Sequence, residues 1–127
     1  MALESHREII AYQKAFELAT VVFEKSKSFP KQEQYSLTDQ LLRSSRSVCA
    51  NFAEAWRKRR YEKAFISKLS DAESEAGETQ VWLEFAHHHG YLNAEDFNDL
   101  DSRCEEITRM LVAMISNSGK WCMNPKS

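Results

Sequence analysis

The chain has 127 residues, 43% hydrophobic and 28% charged, with a formal net charge of −2, three glycines and two prolines. That length fits one domain with its own core, and so few breakers argue against a strand-and-turn fold and for long helices. The apolar runs are too short for a membrane span, and the first residues lack a basic start followed by an apolar stretch, so a cytoplasmic protein is expected.

Ile9, Tyr12, Phe16, Ala19 and Phe23 recur at steps of three and four. This spacing predicts a first helix over about 5–28, with those residues facing the core and Ala15 and Val22 widening the stripe. Phe29-Pro30 ends it, because the residue before proline is pushed out of the helical region. Ser36-Leu-Thr-Asp39 reads as a capped helix start, with the Ser36 oxygen accepting from a free backbone N–H. The second helix, over about 37–57, puts Leu37, Leu41, Ser45, Val48, Phe52 and Ala55 on one face. Ser44, Ser47, Asn51, Glu54 and Lys58 lie on the face beside it.

The third helix, over about 60–89, carries a sustained heptad: Phe65, Leu69, Ala72, Ala76, Thr79, Leu83 and Ala86. Its other side, Ser67, Ser70, Ser74, Gly77 and Val81, has little bulk. A mid-helix glycine costs about 1 kcal/mol relative to alanine. That face either lets a second helix or subunit approach closely or is a solvated strip of small residues. Gly90 suits the position just past the helix end, after His87, His88 and His89. Asn93 caps a fourth helix over about 94–118, whose core positions are Phe97, Leu100, Cys104, Ile107, Leu111 and Met114. The remaining tail carries the apolar triplet Trp121-Cys122-Met123, which folds back or meets another subunit. Four amphipathic segments with short connections predict an all-α, antiparallel up-down-up-down four-helix bundle, one domain over residues 1–127.

Chemical motifs are sparse. Cys49, Cys104 and Cys122 are odd in number and lack C-x-x-C spacing, which points to reduced thiols. Glu84-x-x-His87 has the spacing of a helical metal site, but a di-iron bundle needs a second such pair, and none is present. No metal or cofactor is expected. Glu54 and Glu78 can face one another across the second and third helices, yet no nucleophile–base pair or phosphate loop accompanies them, so no catalytic residue is assigned.

Charge is unevenly placed. Residues 43–68 hold eight Lys/Arg against two Glu, a net of +6, whereas residues 69–106 hold eleven Asp/Glu against one Arg, a net of −10. Arg43, Arg46, Arg57, Lys58, Arg59, Arg60 and Lys63 form the candidate nucleic-acid-binding set. Four consecutive cations between Trp56 and Tyr61 suit phosphate contact with base stacking. Pairing with an acidic surface of another subunit and plain solvation remain open beside that reading. Ser70, Ser74, Gly77 and Trp121 form the candidate oligomer interface.

Several segments together resemble a known family. They are Tyr12-Gln-Lys-Ala-Phe-Glu-Leu-Ala19, Phe29-Pro30, Tyr35-Ser-Leu-Thr-Asp-Gln-Leu41, Ser47-Val-Cys-Ala-Asn-Phe-Ala-Glu54, Glu78-Thr-Gln-Val-Trp-Leu83 and Gly90-Tyr-Leu92. Over about residues 9–118 the chain is similar to bacterial four-helix-bundle proteins named after reading frames in intervening sequences of 23S ribosomal RNA genes. Ala55 stands where that family usually has glycine. The resemblance implies a ring-like homopentamer without enzymatic activity. It also implies a likeness to accessory proteins of diversity-generating retroelements, which bind nucleic acid and a reverse transcriptase. The expected function is a non-enzymatic homo-oligomer that binds ribosomal RNA or another nucleic acid through its basic corner. The alternative is a structural or protein-interaction scaffold.

Overall fold

The computed structural model describes residues 2–123; residues 124–127, the end of the tail, lie outside the described residues. The chain enters through a 3₁₀ turn, His6–Glu8, closed by a reciprocal capping box between Ser5 and Glu8. Ile9 is extended, with φ −74° and ψ 123°, and its side chain is buried. The first long helix, α1 (Ile10–Ser26), therefore starts later than the periodicity suggested.

The buried face of α1 also differs. It is Ala11, Ala15, Leu18, Ala19, Val22 and Ser26, while Phe16 and Phe23 are 58% and 40% exposed and Tyr12 is half-buried. Two apolar stripes overlap on this helix, and volume decides between them. The largest fully buried side chains, among them Phe52, Phe65, Leu69, Ile107 and Leu111, come mostly from the later helices. In a close-packed interior this leaves α1 to contribute mainly small residues plus Leu18 and Val22.

A second 3₁₀ turn, Lys31–Glu33, leads into α2 (Leu37–Arg57). The expected Ser36 cap is not made. Instead the Ser36 hydroxyl donates to Glu33 Oε1 at 2.6 Å, and the Leu37 N–H reaches the same oxygen at 3.4 Å. Tyr91 donates to Glu33 Oε2 at 2.9 Å from the far connection. The Ser36 bond first, then the Tyr91 bond, hold the Glu33 carboxyl below its usual range. The six expected core positions of α2 are all buried, and Ser44 and Trp56 join them.

α3 (Glu62–His88) buries all seven heptad residues. It ends in a Schellman turn: Gly90 at φ +83°, its N–H to the His87 carbonyl at 3.0 Å, and the Tyr91 N–H to the Ala86 carbonyl at 2.8 Å. α4 (Ala94–Ser116) starts under Asn93, whose Oδ1 accepts from the Asp96 N–H at 2.7 Å. Its expected core is buried from Leu100 to Met114. Phe97 is half-buried and stacks on His87 at 4.8 Å. Helical structure does not end at Asn117, because a short helix, α5 (Ser118–Trp121), follows.

Ion pairs fix the directions of the helices. Arg43 meets Glu75 and Glu78, while the later Glu54 meets the earlier Lys68. Between α1 and α4, Lys14 meets Glu106, Glu17 meets Arg103 and Lys25 meets Asp96. Numbers rising on one helix and falling on its neighbour mean antiparallel pairs. Each long helix packs on its sequence neighbours and α4 closes on α1, and among the described residues the backbones of diagonal helices do not come close. This is an antiparallel four-helix bundle.

Candidate nucleic-acid interface

The turn from α2 to α3 is four residues, Lys58 to Tyr61, with no positive φ. Trp56 anchors it from below, 7% exposed in the last turn of α2. The Arg59 guanidinium lies 3.4 Å from the Trp56 ring centroid, and its Nε–H donates to the Trp56 carbonyl at 2.9 Å. A cation on an indole face with a further hydrogen bond is a brace. Burial lowers the Arg59 pKa. Arg57, Lys58, Arg60, Tyr61 and Lys63 are exposed around that brace. Trp56, Arg57, Arg59, Arg60, Tyr61 and Met123 line a hollow of about 350 Å³.

The tail latches onto this turn. The Met123 N–H donates to the Arg59 carbonyl at 3.0 Å, and the Ser118 hydroxyl donates to Glu62 Oε2 at 2.6 Å. As far as Met123 the tail folds back on its own bundle. Trp121 is half-buried against the core.

The seven candidate cations are not one patch. Residues 57–60 and Lys63 share the turn and the start of α3. Arg46 and Arg43 lie 11 and 14 residues earlier on α2, about 16 and 21 Å along the axis. Arg43 spans Glu75, at 3.3 Å, and Glu78. Its charge is thereby engaged with α3. Arg46 sits 5.9 Å from the Phe23 ring of α1.

The expected facing pair of Glu54 and Glu78 does not form. Glu54 reaches Lys68 at 3.5 Å, and Glu78 neighbours Glu75 one turn away on its own helix. Burial first, then the bond to Glu78, raise Glu75; the bond from Glu75 first, then Arg43, lower Glu78. Among the described residues no three His, Cys, Asp or Glu side chains are grouped to hold a metal ion. His87, the imidazole of the Glu84-x-x-His87 spacing, uses Nδ1–H to donate to the Leu92 carbonyl at 3.0 Å. The three cysteines are free; Cys104 is buried, and Cys49 and Cys122 are half-buried.

Three of the oligomer candidates share one face of α3, and Trp121 lies apart from them in α5. Ser70 and Ser74 are exposed, and Gly77 is half-buried with nothing within 4 Å of where a Cβ would stand. Sequence reasoning missed the Arg59 brace, the α5 latch and the exposed rings of α1. Only the last had a local signal, the second stripe Ala11, Ala15, Leu18 and Val22 at steps of four, three and four.

Comparison with known proteins gives a family and a fold. The sequence model of the family described as 23S rRNA-intervening sequence protein matches residues 7–113. Among solved structures, a protein of unknown function from the S23 ribosomal protein family of Bacteroides thetaiotaomicron is 29% identical, with a TM-score of 0.76. The match covers 84% of this chain and 96% of that one. No curated protein matches.

Proposed function

The chain belongs to the 23S rRNA-intervening sequence protein family, and from that membership we propose that it is a non-enzymatic, homo-oligomeric bundle that binds RNA through the α2–α3 turn. The observation that carries this reading is the density of exposed cations there: Arg57, Lys58, Arg60 and Lys63 beside the exposed ring of Tyr61. Phosphate contacts supply most non-specific affinity, and an aromatic ring beside them offers a face to a base. One turn offers few such contacts. A homo-oligomer, a ring of five in the reading drawn from the resemblance, would present the turn repeatedly and multiply a modest affinity. The face of Ser70, Ser74 and Gly77 is the proposed seat of self-association, with the remaining exposed edge of Trp121. A cytoplasmic location goes with this function. No helix among the described residues is long and apolar enough to cross a membrane.

The test is a salt titration of RNA binding by fluorescence anisotropy. Arg57→Glu with Lys58→Glu is the variant of choice, because Arg59 holds the turn together. Affinity is expected to fall at least tenfold, and the slope of log K against log salt to shrink by about one for each phosphate no longer engaged. The net of −10 over residues 69–106 favours a second reading, in which the turn pairs with the acidic surface of a neighbour. RNA binding unchanged by the double reversal, with a smaller particle in light scattering, would establish that scaffold instead.

A further inference from the structure

The outer face of α1 carries two exposed rings that the bundle does not need. Phe16 and Phe23 are two helical turns apart, about 10 Å. With Tyr12, Ala19, Thr20, Arg46 and Cys49 they line a groove of about 360 Å³ between α1 and α2. Cations stand at one end: Lys27 Nζ is 4.8 Å and Arg46 Cζ 5.9 Å from the Phe23 centroid. At the other end Tyr12 is 6.1 Å from Phe16 and meets His6 edge-on at 4.8 Å. Burial first, then the charges of Arg7 and Arg57, disfavour protonation of His6. The groove itself is lined from Phe23 and Arg46 to Tyr12; Lys27 stands over Phe23 at one end, and beyond Tyr12 and His6 comes the end of α2 with Arg57. Two acids of α1 are engaged: Glu17 with Arg103, and Glu24 with Lys27.

We propose that this groove is a track for single-stranded RNA, continuous with the basic turn, in which bases stack on Phe16 and Phe23 while phosphates follow Lys27, Arg46, Arg7 and Arg57. The proposal rests on the RNA-binding reading of the turn and narrows its ligand to single strands. Cations interleaved with exposed rings are the chemistry of single-strand platforms. A duplex keeps its bases stacked inside and is met through backbone and shape, so it has no use for the rings. A cation that moves from Phe23 to a phosphate frees the ring face for a base and keeps a charged partner.

The test compares a short fluorescent oligouridylate with an RNA duplex of the same length. Phe16→Ala with Phe23→Ala is expected to weaken oligouridylate binding by about tenfold per ring. Duplex binding and the salt slope should stay the same. Phe16→Tyr with Phe23→Tyr should retain single-strand affinity, which separates stacking from loss of fold. If the alanine variant binds oligouridylate like the parent while Arg57→Glu with Lys58→Glu weakens it, the track is overturned and the basic turn stands. If the parent binds no RNA, both fall. A smaller particle in light scattering for the alanine variant would assign the face to a neighbouring protein subunit and equally overturn the track.

Discussion

Cys104 shows how one residue couples the core to solvent conditions. It is fully buried in α4, and burial first, then the charges of Asp101 and Glu105, push its thiol up to about 12. Half-buried Cys49 is pushed up to about 11, chiefly by burial. In the unfolded chain a thiol loses its proton near 8.5. Above that value the unfolded state binds fewer protons than the folded state, so stability falls as pH rises. Each thiol's contribution is complete below about 8.5 and disappears as pH climbs toward its folded value. Urea midpoints measured between about pH 7.5 and 10 should therefore decline, and the decline should flatten in Cys49→Ala with Cys104→Ala. Tyr and Lys titrate in the same range, so the difference between the two chains isolates the thiols. Equal slopes would mean that the thiols ionise as easily folded as unfolded.

The α2–α3 pair is joined by polar contacts across a small-residue seam. Thr79 donates to the Glu75 carbonyl at 2.8 Å, and its oxygen lies 2.9 Å from Ser44 Oγ, both hydroxyls fully buried. The Thr79 proton is committed to an acceptor-only carbonyl, so the Ser44 proton closes the pair. Thr79→Val removes the partner and leaves Ser44 only the long bond to the Leu41 carbonyl at 3.3 Å, a loss of about 1–2 kcal/mol. Ser44→Ala combined with Thr79→Val should cost less than the two single changes together, because no buried hydroxyl is then orphaned. Urea unfolding of the four chains measures this, and strict additivity would show that the hydroxyls do not act as a pair. Elements of this kind also set how much the sequence disclosed. The heptad of α3 was legible because one face holds all its buried residues and the other holds none that compete. α1 was misread because Tyr12, Phe16 and Phe23 form a second regular stripe, and only the volume left by the other helices chooses between the two. At the candidate site the run of cations was plain, but the separate engagement of Arg43 with α3 was not. The α5 latch was hidden too, because it joins Met123 to Arg59 across a span no local pattern covers.

At the scale of the whole molecule the open question is what covers the strip of small residues on α3. Ser67, Ser70 and Ser74 are exposed, and a Cβ at Gly77 would meet nothing within 4 Å. The single bundle therefore gives no packing reason for a glycine that weakens the helix by about 1 kcal/mol relative to alanine. A second subunit whose backbone comes close along this strip would give one, and it would bring several basic turns into one particle. For Gly77→Ala we expect a rise in stability of about 0.5–1 kcal/mol, since the helix gains and the bundle loses nothing. Gly77→Leu carries the same helical gain but projects a branched side chain outward. If the strip is an interface, Gly77→Leu should lower the particle mass in light scattering and weaken RNA binding in proportion, while its helical circular dichroism stays that of the parent. If mass and RNA affinity are both unchanged by leucine, the strip faces solvent, and repeated presentation of the basic turn must come from another surface or not at all.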